Sequence, residues 1–125
     1  GLQPVFFLGP DELPLVPTLR EACPSALFPE YTADGAPRGG ALLTIALAAR
    51  LTVGVANDSG GGHLLAAGGK PLVSLFGHTD AEKFRPPYGP RTVVRASDFG
   101  GPELTRIPLS AVLDAVARSL ALVTA

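Results

Sequence analysis

The chain has 125 residues, 46% of them apolar and 17% charged, with a formal net charge of -1. That is one domain's length with a globular composition, which excludes a disordered segment, and the lack of a long basic run argues against a nucleic-acid binder. A single cysteine, Cys23, excludes an internal disulfide and suits a small buried apolar residue in a reducing compartment. The longest apolar stretch, residues 41–56, is broken by Arg50 and two threonines and is too short for a membrane span. There is no Met, and an apolar run starts almost at residue 1. The expectation is therefore one domain, residues 1–125, excised from a longer protein.

In chain order, residues 5–8 form a short apolar run closed by Gly9-Pro10 and read as a buried strand. Asp11 is placed to cap a helix over 12–22, which Pro14 and Pro17 force to start late or kink. Residues 26–28 suit a second short strand, and 31–38 a polar loop. Gly39-Gly40 opens a helix whose apolar stripe would be Leu42, Leu43, Ala46, Leu47 and Ala49. Residues 52–56 are a strand with Val53 and Val55 on one face. Residues 59–62 form a small flexible loop. A helix over 63–67 stops at Gly68-Gly69. A strand over 71–76 follows, then a long loop to Arg91 and a strand over 92–95. Residues 97–106 read as a loop. The final helix, 109–123, would bury Leu109, Val112, Leu113, Val116 and Leu120.

Short continuous apolar strands alternating with helices predict an α/β fold, Rossmann-like, with a mainly parallel sheet flanked by helices. Ligands of such sheets bind at the carboxyl ends of the strands. Two polar turns fall there: Asp58-Ser59-Gly60-Gly61-Gly62-His63 and Gly77-His78-Thr79-Asp80.

The first turn joins a strand to a helix N-terminus, where backbone N–H groups and the positive end of the helix dipole suit an anion such as phosphate. The glycines let ligand oxygens approach. Ser59 offers a hydroxyl, and His63 offers a donor that is charged when it serves a phosphate. Asp58 repels phosphate and suits the helix amides or a sugar hydroxyl. The plainer reading stands beside this: Asp-Ser-Gly after a strand is a common capping turn, His63 a satisfied half-buried histidine, and His78 to Asp80 a polar loop. Other constellations are absent. Gly68-Gly69-Lys70-Pro71 lacks P-loop spacing, and Asn57 stands where a nucleophile elbow needs glycine. There is no G-x-G-x-x-G, no recognised metal-ligand spacing, and no acid/base pair between Glu12 and Glu30.

The run from Asp58 to Ala67, followed by Lys70-Pro71-Leu72-Val73-Ser74-Leu75-Phe76-Gly77-His78-Thr79-Asp80, resembles the signature of the heptosyltransferase-like glycosyltransferases of family nine. That signature reads Asp-Ser/Thr-Gly-x-x-His, two alanines shortly after, then Pro, an apolar strand and Gly-x-Thr-Asp/Ser. The resemblance covers most of the chain. It implies the C-terminal half of a two-domain GT-B fold, binding a nucleotide-diphosphate sugar. Its implied donor is ADP-heptose, transferred with inversion to a lipopolysaccharide-type acceptor. It further implies that Asp58, Ser59 and Gly60 contact the donor, with Gly61 and Gly62 beside them, and that His63 sits by the diphosphate and stabilises the leaving group. Glu12 falls near an acid that reads the nucleoside, and Gly77, Thr79 and Asp80 are further donor contacts. The general base and the acceptor site belong to an N-terminal domain outside this chain, so the fragment alone is expected to be inactive. No metal, cofactor, nucleic acid or transmembrane segment is implied, and the whole enzyme is expected in the cytoplasm, peripheral to the inner membrane. Gly61-Gly62 and Gly39-Gly40 stand where relatives carry larger residues, which implies a wider or different base pocket. Two alternatives remain: a non-catalytic nucleotide- or phosphate-binding module, and a sugar-nucleotide epimerase-like domain.

Overall fold

The computed structural model describes residues 2–32, 36–57, 60–77 and 91–124. The chain divides into two compact units, Gly1–Thr44 and Ile45–Ala125.

In the first unit, the two expected strands meet as a single parallel bridge between Val5 and Leu27. The Phe6 N–H donates to the Leu27 carbonyl at 2.9 Å, and the Leu27 N–H to Pro4 at 3.0 Å. Pro4, Pro10, Pro24 and Pro29 remove donors around both segments, so the ladder cannot lengthen. Pro10–Leu15 is a 3-10 turn, and α1 follows over Val16–Ala22. The late start anticipated from Pro14 and Pro17 is observed. The cap differs from expectation. Gly9, not Asp11, is the N-cap, and the Gly9 N–H donates to the Glu12 carboxylate at 3.1 Å while the Glu12 N–H donates back to the Gly9 carbonyl at 3.0 Å. This reciprocal pair satisfies two helix-end groups at once. Phe6 stacks on Phe28 with centroids 5.6 Å apart, and the Arg20 guanidinium lies 4.9 Å from the Phe28 ring centre. Cys23 is only half-buried, because it sits just past the end of α1 rather than inside it. The expected loop after Phe28 is tied by a bridge between Tyr31 and Pro37, and the Thr44 hydroxyl donates to the Glu30 carboxylate.

The second unit holds a three-stranded parallel sheet in the order β1 (Gly54–Asn57), β2 (Leu72–Phe76), β3 (Arg91–Arg95). Helix α2 (Ala41–Ala48) contains the boundary between the units, α3 (Gly60–Ala67) lies between β1 and β2 in the chain, and α4 (Leu109–Thr124) closes the second unit. This is the parallel, helix-flanked α/β architecture read from the sequence. The sheet is buried on both faces at β2, so its residues run apolar without alternation. On one face, Val73 and Val94 pack with Ala115 of α4, with Val53, Leu75, Ile107, Ala111 and Val116 around them. On the other, Gly54 and Ala56 present almost no side chain. There Gly54 lies against Leu65 of α3, and Ala56 against Gly62.

Both predicted helix stripes are corrected in part. In α2 the buried residues are Thr44 and Ala48 and Leu43 and Leu47 of the stripe are half-buried, while Leu42 is 83% exposed and Ala46 and Ala49 also face outward. In α4 the buried residues are Ala115 and Ser119, Val112, Val116 and Leu120 of the stripe are half-buried with Val116 against the core, and Leu109 and Leu113 are 72% and 57% exposed. Small residues spaced i, i+4 let a helix sit closer to its neighbour than leucines would, and that contact wins over the larger side chains. The Ser119 hydroxyl is satisfied by the Ala115 carbonyl at 2.9 Å. The loop expected over 97–106 contains two 3-10 turns, Ala96–Phe99 and Leu104–Arg106.

Candidate functional site

In a parallel sheet all strands finish on one edge. Register places Asn57 beside Leu75 and Phe76 beside Arg95, so β1, β2 and β3 end level with one another. The carboxyl ends of the three strands therefore share one edge, the kind of edge at which ligands of parallel sheets bind.

The helix after β1 starts earlier than its composition suggests. Gly60, Gly61 and Gly62 were expected to form a loop, yet they are the first turn of α3. Glycine is costly in a helix interior, but the first turn makes few internal hydrogen bonds and tolerates it better. The first N–H groups of a helix have no partner inside it, and glycine there adds no side chain of its own. His63 is thus the fourth helical residue rather than the first, and it is half-buried. Helical side chains lean toward the N-terminus, so from this position the imidazole leans back toward the glycine turn.

Gly62 has a second, structural reason. A Cβ there would lie 3.1 Å from the Asn57 carbonyl oxygen and 3.5 Å from the Ala56 side chain. The helix start is pressed onto the end of its own strand, which holds the turn tightly against the sheet edge. At the other end, Gly69 takes φ +80° and its N–H bonds the Ala66 carbonyl at 3.0 Å, the stop anticipated from the sequence.

Gly77 begins the second loop and is also packed rather than open. A Cβ would meet the Pro102 carbonyl oxygen at 2.7 Å and Leu104 at 3.2 Å. The 102–104 segment therefore buttresses the exit from β2. No local sequence signal pointed to this partnership, because the contact joins residues a full strand apart. Glu12 lies in the first unit, where its carboxylate closes the cap on Gly9. Asp58, Ser59, His78, Thr79 and Asp80 fall outside the described residues. Among the described residues, no group of three His, Cys, Asp or Glu side chains could hold a metal ion. No helix there is long and apolar enough to cross a membrane.

A parallel three-stranded sheet covered by helices on both faces defines an α/β domain. The family comparison is narrower: the pattern of glycosyltransferase family 9 (heptosyltransferase) matches residues 30–107, more than half of the chain. The chain belongs to this glycosyltransferase family. Among solved structures it is similar to the glycosyl transferase family 9 protein from Veillonella parvula DSM 2008, with a TM-score of 0.74 and 21% sequence identity. The match covers 98% of this chain and 38% of that one, so the present chain spans well under half the length of its structural relative. The fold is that of the GT-B glycosyltransferase class. No curated protein matches the sequence significantly.

Proposed function

We propose that residues 1–125 are the C-terminal, donor-binding domain of an inverting glycosyltransferase. The enzyme would move a heptose or similar sugar from a nucleotide-diphosphate donor, ADP-heptose being the family's example, to a lipopolysaccharide-type acceptor. The observation that carries this reading is the start of α3 at Gly60, directly after β1 at the carboxyl edge of the sheet, in a chain of family 9.

The chemistry follows from the leaving group. As the bond to the sugar breaks, negative charge grows on the diphosphate. The amides of Gly60 and Gly61, the dipole of α3, the Ser59 hydroxyl and an N–H of the His63 imidazole stabilise that charge. One preorganised donor of this sort contributes about 2.7–4 kcal/mol in acyl-transfer enzymes, where it has been measured. Asp58 takes a sugar hydroxyl or the helix amides. Gly77, Thr79 and Asp80 are further donor contacts. The general base and the acceptor belong to the N-terminal domain of the whole, cytoplasmic enzyme.

Calorimetric titration with ADP, GDP and UDP tests the site. The wild-type chain is expected to bind at least one of them, and Asp58→Ala and His63→Ala each to weaken that binding roughly tenfold, the loss of one charge-assisted hydrogen bond. Binding unchanged in both variants would remove the turn from the donor site.

A further inference from the structure

Helix α4 buries one ridge of side chains and leaves a more apolar one uncovered. Residues four apart stack along a helix, so its surface divides into ridges at that spacing. Ala111, Ala115 and Ser119 form the ridge toward the sheet: Ala115 and Ser119 are buried, and Ala111 packs against the core cluster. Leu109, Leu113 and Ala117 form another ridge, and all of it is exposed. The leucines on it are the 72% and 57% exposed residues of this helix. Contiguous apolar surface of this kind, rimmed by polar residues, marks a contact surface.

The rim indicates what covers it. Ser110, Asp114 and Arg118 form the ridge beside the leucines and are likewise exposed. Asp114 and Arg118 stand at the spacing of an i, i+4 ion pair, yet among the described residues they make no ion pair with each other. Their order has a geometric consequence. A two-fold axis at the level of Val116, midway between them, sets two copies of α4 antiparallel and exchanges the levels of positions 114 and 118. Asp114 of each copy then meets Arg118 of the other along one flank of the contact. The same operation brings Leu113 close to Ala117 of the second copy, whose methyl side chain leaves room for it. A two-fold interface has to be self-complementary, and this surface is so in both size and charge. The net charge of -1 opposes the approach of a second copy only weakly.

We infer that the exposed ridge of α4 is a self-association surface, on which two copies of the chain pair antiparallel about a two-fold axis near Val116. Two leucines per copy make a small contact beside a standard interface. The pairing is therefore weak, with a dissociation constant on the order of 10 μM, and dilute solutions hold single copies.

Sedimentation equilibrium of the chain from about 1 to about 300 μM tests the pairing, with thermal melting of dilute samples as the check on folding. The wild type is expected to pass from monomer to dimer across this range. Leu109→Asp and Leu113→Asp are each expected to weaken dimerisation roughly tenfold while leaving the melting temperature unchanged, because both positions are exposed. Asp114→Arg and Arg118→Asp each set like charges against one another and are expected to weaken it roughly tenfold as well. Mixed one to one, these two charge variants again place an arginine opposite every aspartate, and dimerisation is expected to return to within about threefold of the wild type. A wild-type chain that stays monomeric throughout overturns the inference, even if it binds phospholipid vesicles through the same leucines. Dimerisation that both leucine variants leave intact places the contact elsewhere and overturns it too. Charge reversals that cost nothing, or whose cost mixing does not restore, rule out the antiparallel pairing. None of these outcomes bears on nucleotide binding at the sheet edge.

Discussion

The two faces of the sheet are built from different materials. Toward α4, the core is ordinary: Val73 and Val94 meet Ala115, with Val53, Leu75, Ile107 and Val116 closing around them. Toward α3, buried Leu65, Leu72 and Phe76 share the face with residues that have little or no side chain. Gly54 and Ala56 line the strand, Gly62 touches the strand end, and Gly68 lies against α2. The difference separates two tasks. Apolar volume on the α4 face stabilises the sheet and is generic. Close backbone approach on the α3 face sets where the helix begins, and so where its amides point.

Substitutions can break this comparison in order of size. The largest loss is expected for Gly68→Ala, whose Cβ would lie 2.8 Å from the Ala48 backbone carbon and the Ala49 nitrogen. Backbone cannot step aside as a flexible side chain can, so chemical denaturation is expected to show a loss of about 3 kcal/mol. A loss under half of that would mean α2 and α3 adjust freely, and the close-approach account of this face would fall. Val73→Ala on the opposite face is next, at about 2 kcal/mol, because Val73 is fully buried and its removal leaves a cavity. If Val73→Ala leaves nucleotide affinity unchanged while lowering the melting temperature, the two faces do separate stability from binding. The smallest effect is expected for Leu113→Gln, within about 0.5 kcal/mol, because this leucine is 57% exposed. A loss above about 1.5 kcal/mol would show that α4 buries the leucine side in solution and that the small-residue contact has been misassigned.

The glycine stop at Gly69 and the shared carboxyl edge of β1, β2 and β3 follow from short-range rules about caps and parallel strands. The other candidate residues, Asp58, Ser59, His78, Thr79 and Asp80, lie outside the described residues. What those rules missed has a common cause. The glycine run from Gly60 to Gly62 looks like a loop by propensity, and only its seat on the Asn57 carbonyl shows why it is helical. Gly77 looks like a strand terminator, and only the fold brings the Pro102 carbonyl to it.

The pattern of apolar runs and breakers by itself determined the α/β class, the parallel sheet and the succession of β1 and α3, because these depend on backbone geometry and local periodicity. The motif pair around Asp58 and Gly77 determined the family resemblance. The tertiary structure alone decided which faces of α2 and α4 are buried and how early α3 begins. Each of those outcomes rests on contacts between residues distant in sequence. In helices with both leucines and alanines, a periodicity rule weights the larger side chains, whereas close packing favours the alanine and serine stripe that lets the backbones meet.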